Sequence, residues 1–299
     1  MKKPQLSLSV FWIILLVLIG LFYFTPLSVF GQTGSSVWRI SNNNNIFFLG
    51  GSVHILREQD FPIPEEFYHA FEQSSIVVLE TDIEAIANPD ILQLMLTQMF
   101  LPDGQTLDSI LDSGTFELLQ AKCVEIGFSI ESVIRFRPSV VINMLTMAEI
   151  QNSGFVQQGV DNYFLEKAKD ADKPLSFLES IESQINLLFS MGEGYENEFV
   201  TYSLMDMENS ILDLDSLVSE WKDGRIEYTE QVLLEMKNSW PAIYSALIID
   251  RHNAWMPFLE SYLTTEEIEF VIVGYAHLPG PDGLLRRLEN SGYTVEPFQ

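Results

Sequence analysis

Residues 269–298 read EFVIVGYAHLPGPDGLLRRLENSGYTVEPF. Phe270, Val271, Ile272 and Val273 form an apolar, β-branched run with no polar alternation, the pattern of a strand covered on both faces in a parallel sheet. Gly274 ends the run and His277 follows three residues later. A loop with Pro279, Gly280 and Pro281 leads into a helical pattern, Leu284, Leu285 and Leu288, that stops at Gly292, and Tyr293 to Phe298 reads as another strand. Strand, loop, helix and strand predict a right-handed crossover. In such a unit the loop bearing His277 sits at the carboxyl edge of the sheet, where open α/β folds bind ligands.

The same arrangement occurs earlier in the chain. Ile46 to Gly50 (IFFLG) is a second apolar strand, followed by Gly51 and, three residues on, His54. A loop with Pro62 and Pro64, a helical run (Phe67, Ala70, Phe71) and the strand Ile76 to Leu79 follow, and Glu80 stands at that strand's carboxyl end. A third delivery comes after the helix introduced by Gly159, Val160 and Asp161: the strand Leu175 to Leu178 ends at Glu179. The two GxxH units therefore open and close one α/β domain with a central, mostly parallel sheet and flanking helices. They are predicted to face their histidines across one cleft. Residues from about 84 to 240 carry helical periodicity almost throughout and read as a large helical insertion. The short strand Val37 to Ile40 and the turn Asn42 to Asn45 predict a hairpin into the first GxxH strand.

The first 31 residues differ in kind. Lys2 and Lys3 precede an uncharged stretch from Leu6 to Phe30, with Pro26 as a breaker and Gly31 at its end. This is the pattern of an export signal cleaved after Gly31, and Leu6 to Phe24 is also long enough to serve as an uncleaved membrane anchor. Both readings place the body outside the cytoplasm, as a periplasmic, extracellular or anchored domain. Without Lys2 and Lys3 the body has 14 basic and 42 acidic residues. A surface so negative repels phosphate backbones, which excludes nucleic-acid binding. The single cysteine, Cys123, rules out an internal disulfide and a cysteine-based metal cluster, and its helical spacing predicts a buried apolar role.

Two histidines and carboxylates at strand ends are able to bind a divalent cation and leave positions for water. His54, His277 and Glu80 are the predicted ligands, with Glu179 as a fourth ligand or general base. A metal so held polarises a carbonyl and activates water, the chemistry of amide and ester hydrolysis. Without a metal, one imidazole oriented by a carboxylate activates water while another polar group steadies the oxyanion. Glu80, Glu179, Arg251 and Asn253 are the candidate catalytic residues, Arg251 because its fork can hold a carboxylate. Gly51 and Gly274 are candidate substrate contacts, since glycine permits close approach. His69 and His252 read as structural.

FLGGSVHIL (48–56), IVVLETD (76–82), GVDNYFLEKAKDADKPLSFLES (159–180) with Gln184 beyond it, DRHNAWM (250–256) and VIVGYAHLPGPDGLLRRLENSGYTV (271–295) together resemble the TraB/GumN family, which includes the Tiki proteases. The resemblance implies an α/β fold with paired GxxH motifs and, in the Tiki members, a metal-dependent peptidase with manganese, cobalt or zinc as candidate ions. It carries over to His54, His277, Glu80, Glu179, Arg251 and Asn253. The spacing of His54, Glu80 and His277 is also similar to that of erythromycin-esterase-like hydrolases, which work without metal. Ala254 departs from the basic residue usual after the asparagine. The expectations are an exported hydrolase acting on peptides or proteins or, alternatively, a non-catalytic protein that captures a peptide signal.

Overall fold

Apolar runs without alternation become the middle of the sheet, as expected where helices cover both faces. The computed structural model describes residues 35–42, 44–155, 159–207 and 210–299. Six strands form one sheet: β1 (Val37–Ser41), β2 (Ile46–Ser52), β3 (Ile76–Leu79), β4 (Leu175–Phe177), β5 (Glu269–Gly274) and β6 (Thr294–Pro297), in spatial order β4-β3-β5-β2-β1-β6. Every residue of β5 is buried. It runs parallel to both neighbours, β3 and β2, and β4 is parallel to β3. The registers Ser52↔Gly274, Leu79↔Ile272 and Leu79↔Phe177 bring the carboxyl ends of these four strands to one edge.

The other edge is antiparallel. Asn42 closes the β1–β2 hairpin by accepting the N–H groups of Asn44 and Asn45 with its side-chain oxygen, at 2.9 and 2.8 Å, a local turn chemistry typical of asparagine. β6 pairs antiparallel with β1, so it points the same way as β5, with two strands between them. The crossover read from the last 30 residues is made, and it spans β2 and β1 on its way.

Helices dominate between β3 and β5, as the periodicity predicts, except that β4 returns to the sheet among them. Local chemistry sets their ends. Pro138 starts the Pro138–Asn152 helix at a position where its missing N–H costs nothing. Asp112 caps Ser113–Ile126 by accepting the Thr115 N–H at 2.8 Å, and Gly127 ends that helix with φ 93°, the left-handed conformation glycine adopts freely. Aromatic rings close the sheet face beneath β5: Phe270 lies 6.2 Å from Phe67 and 5.4 Å from Phe164, ring centre to ring centre, and Phe67 lies 5.7 Å from Trp221. Fully burying one such ring contributes about 1.5–3 kcal/mol. Cys123 sits in this core with its thiol pushed up to about 11 by burial, an unreactive packing residue. His69 is on the solvent face of the Glu65–Gln73 helix.

Among the described residues no helix is long and apolar enough to cross a membrane. The leader or anchor read from residues 1–31 lies outside the described residues.

Candidate active site

Four strand ends supply the chemistry at the common edge. His54 stands two residues beyond β2, Glu80 directly after β3, Glu179 two residues beyond β4, and His277 in the short 3-10 turn Tyr275–His277 after β5. The fifth group comes from the helix Asp250–Tyr262, which follows a π-turn at Ser245–Ile249. Such turns shift a helix face by about one residue and recur at functional sites. This helix projects Arg251, His252 and Trp255 toward the sheet edge. His54, Glu80, Arg251 and His277 floor a cleft of about 260 Å³, walled by apolar side chains that include Leu165, Leu187, Leu188, Leu217 and Leu247.

Arg251 is the hub. Its Nε donates to Glu179 Oε2 at 3.2 Å and its Nη2 to Glu179 Oε1 at 2.8 Å, a bidentate fork, and Nη2 also donates to Glu80 Oε2. Its Nη1 donates to His277 Nε2 at 2.8 Å. One helical turn on, the Trp255 indole N–H donates to Glu179 Oε2 at 3.2 Å, and the ring lies 4.4 Å under the guanidinium. Glu80 accepts two further bonds, from the Gly274 N–H at 2.6 Å and the Gln184 amide at 3.3 Å. Burial opposes the Glu80 charge, but Arg251, the histidines and the Gly274 N–H outweigh it and hold the carboxyl well below the ordinary range.

The two cleft histidines differ. His54 Nδ1 is 3.0 Å from Asp161 Oδ1. Burial works against its protonation, yet the charge and hydrogen bond of Asp161 and the charge of Glu80 prevail and lift it to about 9. With 33% of the His54 side chain exposed at the cleft mouth, water shares in solvating that cation. His277 is buried, and burial together with the adjacent guanidinium pushes it well below the ordinary histidine value. His252, at 0% exposure, is pushed down to about 3, chiefly by burial.

Gly274 keeps the space between them open. A β-carbon there would lie 3.3 Å from His54 Nε2, 3.3 Å from Glu80 Oε1 and 3.5 Å from His277 Cδ2. The predicted pair Gly51 and Gly274 thus divides. Gly274 lines the cleft, whereas Gly51 is packed under Tyr275 and Leu278, where a β-carbon would come within 2.5 and 2.8 Å of them. Asn253 is also placed elsewhere: it is exposed on the outer face of its helix and accepts from Arg287 at 2.8 Å. One helical position separates it from His252, which turns inward.

Three groups escape the sequence reading. Asp161 reads as part of a helix start, and the Gly159-Val160-Asp161 turn that carries it presses on the backbone at His54. Trp255 is visible only as the aromatic residue four positions after Arg251. His252, read there as structural, bonds His277 directly, at 3.0 Å.

Donor chemistry in the cleft fits a divalent cation. Nδ1 of each histidine is engaged by a fixed partner, Asp161 or His252, as in metal-binding imidazoles whose Nε2 faces the ion, and Glu80 and Glu179 add carboxylate oxygens. The guanidinium of Arg251 itself occupies these partners. Among the described residues, no three His, Cys, Asp or Glu side chains stand together as a ready ligand set. A metal ion bound by His54, His277 and Glu80 requires Arg251 to release His277 and Glu80.

The site defines a class of protein: an α/β fold whose paired GxxH strand ends meet strand-end carboxylates and an arginine in one cleft. Within that class the chain belongs to the TraB/PrgY/gumN family, whose pattern it matches over residues 36–297. It is 23% identical over 248 residues to the uncharacterized protein YbaP of Escherichia coli K12, covering 82% of this chain and 88% of that one. It is also 23% identical over 206 residues to the metalloprotease TIKI1 of Xenopus tropicalis, covering 60% of this chain and 39% of that longer protein. No solved structure matches.

The buried imidazoles give stability a distinctive pH dependence. The unfolded chain protonates His252 near 6.5, while the folded one resists down to about 3. Stability held by the neutral form is full above about 6.5 and falls by about 1.4 kcal/mol per pH unit below it. His54 runs the other way, its contribution being full below about 6.5 and lost as pH rises toward 9. Buried acids such as Glu269, raised to about 7 by burial, gain stability on acidification and mask the His252 effect. The difference between wild type and His252→Gln isolates it. From pH 6.5 to 4.5, urea unfolding is expected to show wild type losing about 1.4 kcal/mol per pH unit relative to the variant. Parallel curves across that range would contradict the neutral, buried assignment.

Proposed function

We propose that this chain is an extracytoplasmic hydrolase of the metallopeptidase kind, cleaving peptide or protein substrates in the cleft above β2, β3 and β5. The observation that carries the reading is the convergence of His54, Glu80, Arg251 and His277 from four separate segments onto one apolar-walled cleft, with Glu179 bonded to Arg251 from a fifth. The likeness to the metalloprotease TIKI1 supports a divalent ion, manganese, cobalt or zinc, held by His54, His277 and Glu80. When bound, such an ion polarises a carbonyl and makes water acidic enough to attack it. Asp161 fixes the ring of His54, the Gly274 N–H and Gln184 orient Glu80, and the apolar walls border the polar floor. Arg251, once released from its carboxylates, would meet the carboxylate or developing oxyanion of a substrate with a planar fork of donors. Residues 6–30 would carry the body out of the cytoplasm, as a cleaved leader or as an anchor. The strongly negative net charge disfavours nucleic acid as a partner.

One observation favours a second form of the same reading, a hydrolase that works without metal. Arg251 already supplies a fixed positive charge between Glu80, Glu179 and His277. Purified protein is to be assayed on a peptide library before and after chelation and after adding back manganese, cobalt or zinc, with bound metal measured in parallel. The metallopeptidase form predicts loss of turnover on chelation, recovery with one ion, and at least a 100-fold fall in His54→Ala and His277→Ala. Chelation-resistant turnover that still depends on both histidines establishes the metal-free form. Turnover untouched by either substitution overturns both.

A further inference from the structure

His277, His252 and the loop Pro279–Gly283 form a chain of hydrogen bonds with fixed ends. At one end stands the Arg251 guanidinium, which has donors only, 2.8 Å from His277 Nε2. At the other stands the backbone carbonyl of Asp282, an acceptor only, 2.8 Å from His252 Nδ1. Between them, His277 Nδ1 and His252 Nε2 are 3.0 Å apart. The carbonyl requires a proton on His252 Nδ1. A neutral His252 then presents Nε2 as an acceptor, so His277 must donate from Nδ1 and keep the lone pair on Nε2. Arg251 demands the same lone pair from the opposite side. Only one arrangement of protons satisfies all three bonds, and in it both rings are neutral.

The surroundings hold this chain rigidly. His252 has 0% exposure and His277 6%. Asp282 is pinned through its carboxylate, which accepts from Lys237 at 2.6 Å and from the Tyr244 hydroxyl at 2.9 Å, so the carbonyl has little freedom to turn. The His277 ring is also gripped edgewise by Trp255, at 4.7 Å between centres.

We infer that His252 is a positioning residue of the site: it locks His277 in the Nδ1–H tautomer and so aims the Nε2 lone pair into the cleft, toward whatever cation or proton the reaction places there. The kinetic part of this inference rests on the hydrolase reading above, and the tautomer itself does not.

The test uses the full protein with its histidines labelled with nitrogen-15, of which there are only four. Wild type is expected to show His277 protonated on Nδ1 and bare on Nε2. His252→Leu removes the acceptor and leaves only Arg251 to hold the tautomer, and is expected to shift the His277 Nδ1 signal, to let a fraction of the rings take the Nε2–H form, and to lower kcat about 10–100-fold, with KM within about twofold, the scale usual for partners of a functional imidazole. His252→Gln offers an amide oxygen to His277 Nδ1–H and an amide N–H to the Asp282 carbonyl, and is expected to restore the wild-type tautomer and most of the lost rate. A merely structural His252 would instead leave the His277 nitrogen signals unchanged in whichever variant folds. A wild-type spectrum with the His277 proton on Nε2, or an unaltered His277 spectrum in His252→Leu, overturns the inference. If His252→Leu does not fold, the wild-type spectrum and the Gln variant decide. If wild type hydrolyses no peptide, the hydrolase reading falls and the nitrogen spectra alone judge the relay.

Discussion

Arg251→Met is expected to cost the fold about 3–5 kcal/mol at neutral pH, the usual penalty for leaving buried charges without their counter-ion. The side chains of Glu80 and Glu179 are only 10% and 11% exposed, and both bond the one guanidinium. Part of the loss should return in Arg251→Met/Glu179→Gln, which removes one stranded charge. Arg251→Lys should not recover it, because an ammonium group cannot fork to one carboxylate while reaching a second and an imidazole. The penalty also has a pH signature. Glu80 is held ionised below its unfolded value of 4.5, so the stability it gains from Arg251 is present above about pH 4.5 and lost as pH falls further. Urea unfolding of the three variants at pH 7 and pH 4 checks this, and a loss below about 1 kcal/mol at pH 7 would mean that solvent, not Arg251, solvates the two carboxylates. Peptide hydrolysis, if it uses this fork on a developing oxyanion, should fall about 100- to 1,000-fold in Arg251→Met.

Gly159→Ala should be nearly as damaging, for a steric reason. A β-carbon at Gly159 would sit 2.4 Å from the carbonyl carbon and oxygen of His54 and from the carbonyl oxygen of Val53. These are backbone atoms at the end of β2, tied to the same turn by the Val160 N–H to Val53 carbonyl bond of 3.1 Å. Neither side can yield cheaply, so the helix Val160–Asp170 has to back away and take Asp161 with it. The expected cost is at least about 3 kcal/mol, or a fall in Tm of roughly 6–12 °C for a chain of this size. His54, parted from Asp161, should titrate below its wild-type value of about 9. A variant with wild-type Tm and an unchanged His54 titration would show that this turn does not hold Asp161 against His54.

How far the site can be read from sequence depends on which contacts are local. β2, β3, β4 and β5 announce themselves because each is a short apolar run ending in a polar residue, and His54, Glu80, Glu179 and His277 are those endings. The placement of Arg251 at their centre is beyond such reading, since it depends on how one helix lies across the sheet after a π-turn whose sequence, SALII, carries no distinguishing mark. In that helix His252 faces inward and Asn253 outward, the reverse of the roles read for them in the sequence, where Asn253 is the catalytic candidate and His252 the structural residue. Asp161 is hidden for another reason: an aspartate in a first helical turn is ordinarily explained by the helix dipole alone. Gly51 and Gly274 look alike in sequence, each three residues before a histidine. Only the one-residue offset in strand pairing, Ser52 opposite Gly274, separates the packed glycine from the one in the cleft.

That offset belongs to a sheet in which β5 is wedged between β2 and β3, although the Gly274 N–H bonds a carboxylate 194 residues earlier in the chain. A ribosome finishes β2 and β3 long before it reaches β5, so the growing polypeptide carries two strands with unpaired inner edges for most of its synthesis. Bare edges of this kind are sticky. A C-terminally truncated product lacking β5 would therefore lose the cleft and keep both adhesive edges, making chaperone capture or aggregation its natural fate.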